Sequence, residues 1–191
     1  MKKFAIIFNG PPDSGKDFFA DLLHKQLNRP SERLQFKDKL FELVLCIYGV
    51  DKEEFFDHYD NRKLKEEPWD KLRGLSPRQA MINVSENIIK PNFDKRYFGE
   101  QSLIKMEKNP YSQFYIFSDG GFEEELEPFI EAGVEVIVIR LHREGKTYAG
   151  DSRRYIENSP VVIVDWENTG EFENAEQCIR ILIKSLVVYG I

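Results

Sequence analysis

Apolar and polar positions alternate along this chain with two different periods, and the period switches from one segment to the next. Phe4 to Phe8 is an unbroken apolar run of strand length. Lys16 to Asn28 then sets Phe18, Phe19, Leu22, Leu23 and Leu27 at helical spacing. Leu34 to Phe36 reads as a short strand, and a helix is predicted from about Lys37 to Tyr48, stopped by Gly49. Ser76 is a good N-cap with Pro77 at the first helical position, and that helix is predicted to stop before Pro91. A helix over about Gly99 to Glu107 precedes a strand, Phe114 to Phe117, which ends at Ser118-Asp119-Gly120-Gly121. A helix from Phe122 to Glu131, a strand from Val134 to Leu141, a buried strand from Val161 to Val164 and an amphipathic helix from Glu173 to Val188 follow. Residues 51–75 break the rhythm: highly charged, with scattered aromatics, they read as a mobile or partly helical insertion over the surface.

Strands alternating with helices imply a parallel sheet covered on both faces, an α/β protein of three layers, α/β/α. A chain of 191 residues is long enough for one filled core. The expected organisation is a single domain, with its core in 1–36 and 110–191, a helical region at about 37–109 and a lid-like loop at about 142–156.

Composition narrows the chemistry. With 41% hydrophobic and 31% charged residues, the chain is globular rather than disordered. A net charge of −6 argues against a general nucleic-acid or membrane-surface binder, while leaving room for a small anionic ligand held by local cations. Cys46 and Cys178 are expected to be buried free thiols of a reducing cytosol. No apolar stretch reaches membrane-spanning length and Met1-Lys2-Lys3 runs straight into a strand, so a soluble cytoplasmic protein is expected. His24, His58 and His142 lack metal-ligand spacing.

The chemistry concentrates between the first strand and the first helix. Gly10-Pro11-Pro12-Asp13-Ser14-Gly15-Lys16 has the spacing of a phosphate-binding loop, G-x-x-x-x-G-K, with Asp17 where Ser or Thr usually stands. Backbone N–H groups in such a loop point at phosphate oxygens, the helix N-terminus adds positive potential, and Lys16 can reach the outer phosphates of ATP. In an open parallel sheet, ligands sit at the carboxyl ends of the strands. Asp119 lies at one such end and is placed to hold Mg²⁺ directly or through water. After another strand, residues 140–154 hold Arg140, Arg143, Lys146, Arg153 and Arg154, with Gly145 and Gly150 as hinges. That composition suits a lid closing over transferring phosphates, with Arg153 and Arg154 the foremost candidates. Arg78 near one helix start, or Lys37 and Lys39 at another, could hold the phosphate of an acceptor. Asn168-Thr169-Gly170 is a turn whose backbone could contact a nucleobase.

Four segments together resemble the bacteriophage deoxynucleoside monophosphate kinases, a branch of the phosphate-loop nucleotide kinases. They are NGPPDSGKD at 9–17, SPRQAMINVSENIIKPNFDKRYFGE at 76–100, YIFSDGGFEEELEPFIEAGVEVIVIRLHRE at 115–144, and VVIVDWENTG with the last helix. The resemblance implies a phosphate-loop kinase fold and transfer of the γ-phosphoryl group of ATP to a deoxynucleoside monophosphate, supplying nucleotides for phage DNA synthesis in a host cytoplasm. It makes Asp17 a usual variant of the loop and implies Mg²⁺ held by Asp17 and Asp119, with Lys16 on the β/γ-phosphates. One departure is Gly121, where many members carry an Arg; Arg143, Arg153 or Arg154 would have to supply that cation. Two other readings stay open: a kinase acting on a hydroxyl of a nucleoside or polynucleotide end, with Asp119 as base, and a non-catalytic nucleotide-binding regulator. Whether the protein forms a homodimer, and which base it selects, is left open.

Overall fold

The computed structural model describes residues 2–157 and 159–188; Met1, Asn158 and residues 189–191 lie outside the description. Its centre is a five-stranded sheet of β1 (Phe4–Asn9), β2 (Ser31–Leu34), β3 (Phe114–Gly120), β4 (Glu135–His142) and β5 (Val162–Glu167), in the order β2-β3-β1-β4-β5. Every pairing among these strands is parallel. All six residues of β1 are buried, as a central strand covered on both sides requires. The strand's period of two sorts them. Ala5 and Ile7 join one core with Tyr115, Phe117, Val136 and Val138, whereas Phe4, Ile6 and Phe8 join the other with Phe114, Ile116 and Ile139.

The second core is roofed by α1 (Lys16–Gln26), through Phe19, Ala20 and Leu23, and by α8 (Phe172–Val188), through Ala175, Cys178, Ile179 and Leu182. The first is roofed by α2 (Lys37–Tyr48), α3 (Lys52–Tyr59), α4 (Pro77–Ile82), α6 (Tyr97–Lys108) and α7 (Glu127–Glu131). The result is the three-layer α/β/α architecture that the alternating periods predict.

Several boundaries differ from the sequence reading, each for a local reason. The first edge strand is Ser31–Leu34 rather than Leu34 to Phe36, because Phe36 already stands at the N-cap of α2. Residues 51–75 are folded into α3 and two short 3-10 turns, and Phe55 and Leu72 are wholly buried in the first core. Pro91 does not stop its helix. The segment Asn83–Ile89 is wound as a π-helix and leads into a last turn, α5 (Lys90–Asn92). Wider winding moves the carbonyl at 87 away from the proline ring, relieving the clash that would end an α-helix. The helix expected from Phe122 is confined to Glu127–Glu131, where Pro128 fits the first turn. β5 is an edge strand and not a buried one: Val162 is 49% exposed. Cys178 is buried as expected but Cys46 is exposed, since the buried face of α2 is Leu40, Phe41 and Val44.

Candidate functional site

The loop between β1 and α1 is braced from several sides. Gly15 has a left-handed φ of 94°, and a Cβ there would stand 2.8 Å from Asn168 Nδ2, so both conformation and space call for glycine. Asn168, buried after β5, donates that Nδ2 to the Ser14 carbonyl at 2.7 Å and accepts the Gly170 N–H at 2.9 Å on its Oδ1. The side chain of Asn168 thus holds the loop in shape. Asp13 also adopts a positive φ, 61°, which a short polar side chain tolerates. Its carboxylate pairs with Arg62 at 3.1 Å and Lys146 at 3.5 Å, and its carbonyl accepts Arg143 Nη1 at 3.1 Å. Ser14 is fully buried, and its Oγ has no hydrogen-bond partner among the described residues.

Lys16 is buried at the start of α1, with Nζ donating to the carbonyls of Gly10 and Pro11, both at 2.7 Å. Burial, and next the guanidinium of Arg153, pull its pKa from 10.5 down to about 8, against the opposing pull of Asp17, Asp151 and Asp119. An ammonium so placed gains from any anion that reaches it. Asp17, its side chain 77% exposed, accepts Ser118 Oγ at 2.5 Å. Arg33 Nη2 donates to the same Ser118 Oγ at 3.2 Å.

β3 reaches the site through an irregularity. Ile7 pairs with Phe117 but Asn9 pairs with Gly120, so one extra residue is accommodated on β3 beside Asp119. The Asp119 carboxylate accepts the backbone N–H of Phe36 at 3.2 Å and of Lys37 at 3.1 Å. It therefore caps α2, whose own N-cap residue Phe36 has no side chain able to do so. Burial raises its pKa, partly offset by Lys37, those two N–H groups and Arg153.

Residues 143–156 lie over the mouth of the sheet, pinned by Asn9 at the end of β1. Asn9 Nδ2 stands 3.0 to 3.1 Å from the Gly120 carbonyl, Tyr148 Oη and the Arg154 carbonyl, and Oδ1 accepts the Ile156 N–H at 3.0 Å. Burial pushes the Tyr148 hydroxyl up, so it stays protonated. Arg153 holds Asp151 in a two-point ion pair, Nε–Oδ1 2.9 Å and Nη2–Oδ2 2.6 Å. The stem of Arg153 occupies the space that a side chain at 121 would fill: a Cβ on Gly121 would stand 2.6 Å from Arg153 Cβ.

These walls enclose a cleft of about 500 Å³. Lys16, Asp17, Ser118, Asp119, Asp151 and Arg153 line it, together with the apolar side chains Phe36, Tyr59, Met81, Phe98 and Phe122 and the cations Lys37, Lys65 and Arg78. A second hollow of about 490 Å³ on the outer side of the loop is lined by Gly15, Lys16, Asp17, Phe18, Arg62, Arg143 and Lys146. Of the candidate residues, Lys37, Arg78, Asp119 and Arg153 thus meet Lys16 in one cleft. Arg143 falls in the second hollow, against the loop and Gly170. Lys39 lines neither and pairs with Glu42 at 2.7 Å, and Arg154 has an exposed side chain outside both.

Three contributors escape sequence reasoning. Asn9 carries a weak signal, a polar residue ending an apolar run. Ser118 and Arg62 carry none, because their roles depend on contacts made across the fold. Asp17, Ser118 and Asp119 offer hard oxygen atoms beside Lys16, a set that suits a Mg²⁺ ion whose remaining ligands are phosphates and water. Among the described residues, no three His, Cys, Asp or Glu side chains are grouped to hold a metal by themselves. No helix among them is long and apolar enough to cross a membrane.

No family model matches the chain, and no curated protein does. Solved structures do. The crystal structure of APE1195 is similar over 98% of this chain and 96% of its own, at 14% identity and a TM-score of 0.52. A candidate kinase of Chloroflexus aurantiacus covers 98% and 97% at 14% identity and a TM-score of 0.49, and the APS kinase CysC of Mycobacterium tuberculosis 95% and 97% at 11% and 0.47. At such identities the likeness to APE1195 speaks for the fold: a three-layer α/β/α domain architecture wound around an all-parallel sheet.

Proposed function

We propose that the protein transfers the γ-phosphoryl group of ATP to a deoxynucleoside monophosphate, releasing ADP and the diphosphate. The observation that carries this reading is one cleft lined by Lys16 and Arg153 together with Lys37, Lys65, Arg78 and the rings of Phe36, Tyr59, Phe98 and Phe122. Cations suited to phosphates and flat apolar surface suited to a base thus share one space, as a nucleotide requires.

Transfer to a monophosphate asks little bond-making help from the protein. The acceptor phosphate has a second pKa near ~6 and is already largely dianionic at neutral pH, so no base is needed. Repulsion between two polyanions is the obstacle, and fixed cations, alignment and exclusion of water answer it. The backbone N–H groups of residues 13–17 and Nζ of Lys16 bind the β/γ-phosphates of ATP. Arg153, held in register by Asp151, neutralises charge on the transferring group, and Arg78 with Lys37 anchors the acceptor phosphate. Arg143 sits where it contributes to the donor instead, next to the Asn168-Thr169-Gly170 turn. Asp17, with Asp119 behind it, would hold Mg²⁺, which supplies charge neutralisation on the phosphates.

A kinase acting on a hydroxyl would use a carboxylate base, and Asp119 fits that task poorly because both its oxygens already accept backbone N–H groups. The test is ADP formation from ATP and Mg²⁺ against eight ribo- and deoxyribonucleoside monophosphates. Turnover on at least one deoxynucleoside monophosphate is expected, and turnover on none of them defeats the proposal.

A further inference from the structure

Arg33 lies on the edge strand β2 and lines no part of the cleft, yet it reaches a residue that does. Its guanidinium is held by three acceptors. Nε donates to Asp21 Oδ1 at 3.1 Å, Nη1 to the Ile116 carbonyl at 3.4 Å and Nη2 to Ser118 Oγ at 3.2 Å. Ser118, 2% exposed, passes the contact on: its hydroxyl donates to Asp17 Oδ1 at 2.5 Å. Arg33 Nη2 itself stands 3.9 Å from that same oxygen.

The direction of this chain follows from what each group can do. A guanidinium only donates, a carboxylate only accepts, and a hydroxyl has a single proton to give. With Arg33 donating to its oxygen, the Ser118 hydroxyl turns its proton toward Asp17, and each bond polarises the next. Asp21 follows Asp17 by four residues and so shares its face of α1, which ties the guanidinium to the helix it serves.

Asp17 is the group that gains from being held. Its side chain is 77% exposed in the first turn of α1, and no other hydrogen bond among the described residues engages it. Of the three groups that offer oxygen beside Lys16, Asp119 accepts a backbone N–H on each oxygen and Ser118 Oγ is engaged on both sides. Asp17 Oδ2 is the oxygen left without a partner among the described residues. Mg²⁺ demands near-octahedral geometry and gives up its waters reluctantly, so a carboxylate that meets the ion or its water must be well aimed. Tying Oδ1 beforehand removes rotamer freedom that binding would otherwise have to take away.

We propose that Arg33 and Ser118 are positioning residues of the donor site: through Asp17 Oδ1 they hold Asp17 Oδ2 ready for the Mg²⁺ that accompanies ATP. The inference rests on the phosphate-loop reading of residues 10–16 and is independent of the acceptor.

ATP affinity, measured by calorimetry on the whole protein with Mg²⁺ and again with EDTA, tests it without turnover. Wild type should bind ATP more tightly with the metal. Ser118→Ala removes the donor without changing charge and should cut that ratio on the order of 10-fold or more. Arg33→Lys keeps the charge but loses the fork that reaches three acceptors, and should cut the ratio in part. Asp17→Asn should also lose it, and Ser118→Ala added to Asp17→Asn should lose no more, because Ser118 acts through Asp17. Either single variant as responsive to Mg²⁺ as wild type, or weakened alike with and without the metal, overturns the inference. Losses that add in the double variant, or a wild type indifferent to Mg²⁺, overturn it too. Mg²⁺-tightened ATP binding that depends on Ser118, with no phosphoryl transfer to any monophosphate, would leave this inference standing and remove the kinase reading.

Discussion

Lys16 is held in a state of tension that its ligand relieves. The ammonium donates to two carbonyls, yet burial and, next, the neighbouring Arg153 lower its pKa to about 8. Because the folded value lies below the unfolded one, the unfolded chain binds more protons between about pH 8 and 10.5. Lys16's contribution to stability therefore rises with pH across that window. Function runs the other way. In the free enzyme, kcat/KM for ATP should fall above pH 8, roughly tenfold per pH unit once Lys16 is neutral. The kcat profile should stay flat to higher pH, since bound phosphates hold the proton on. A kcat/KM that is level to pH 10 would remove Lys16 from this role. Gly121 belongs to the same argument. It leaves the space that the Arg153 stem fills, so a cation from the 143–156 segment stands beside position 121. Gly121→Val should displace Arg153, lower kcat roughly 10- to 100-fold and move the alkaline limb upward, because a charge depressing Lys16 has gone. Wild-type kcat with an unmoved limb would contradict this.

Elements meet at the carboxyl edge of the sheet through contacts of long sequence separation. Asp119 on β3 caps α2, and Asn9 on β1 pins the 143–156 segment. Asn9→Ala would leave the Ile156 N–H without its acceptor, at a cost of about 1–3 kcal/mol. Limited proteolysis of that variant should accelerate within residues 143–157, with the rest of the chain still protected. An unchanged cleavage pattern would mean that Asn9 does not hold the segment. The same contacts explain what was legible beforehand. The strand–loop–helix of residues 4–26 follows from local pattern, because apolar period, Gly15 and Lys16 all act within one stretch of chain. The capping of α2 by Asp119 does not, since nothing near Phe36 signals a partner on a distant strand. Nor does the packing of Phe55 and Leu72, where a charged surface pattern in 51–75 conceals a few deeply buried anchors. Pro91 misleads for a related reason: the π-wound turn before it removes the usual steric veto.

At the scale of the whole molecule, the sheet's order sets the site. β1 lies between β3 and β4, so their carboxyl ends stand side by side: β1 leads into the 10–16 loop, β3 delivers Asp119, and β4 leads into residues 143–156. Helices roofing the first core, α3, α4 and α6, supply Tyr59, Met81 and Phe98 to the cleft wall. On the proposed reading, donor phosphates and acceptor would share one cleft, as direct in-line transfer requires. Following the label from ATP carrying a radioactive γ-phosphate, with Mg²⁺ and each of the four deoxynucleoside monophosphates in turn, tests that claim most directly. The account predicts that the label appears in the deoxynucleoside diphosphate; release of the label as inorganic phosphate, or its retention in ATP, across all four deoxynucleoside monophosphates would contradict it.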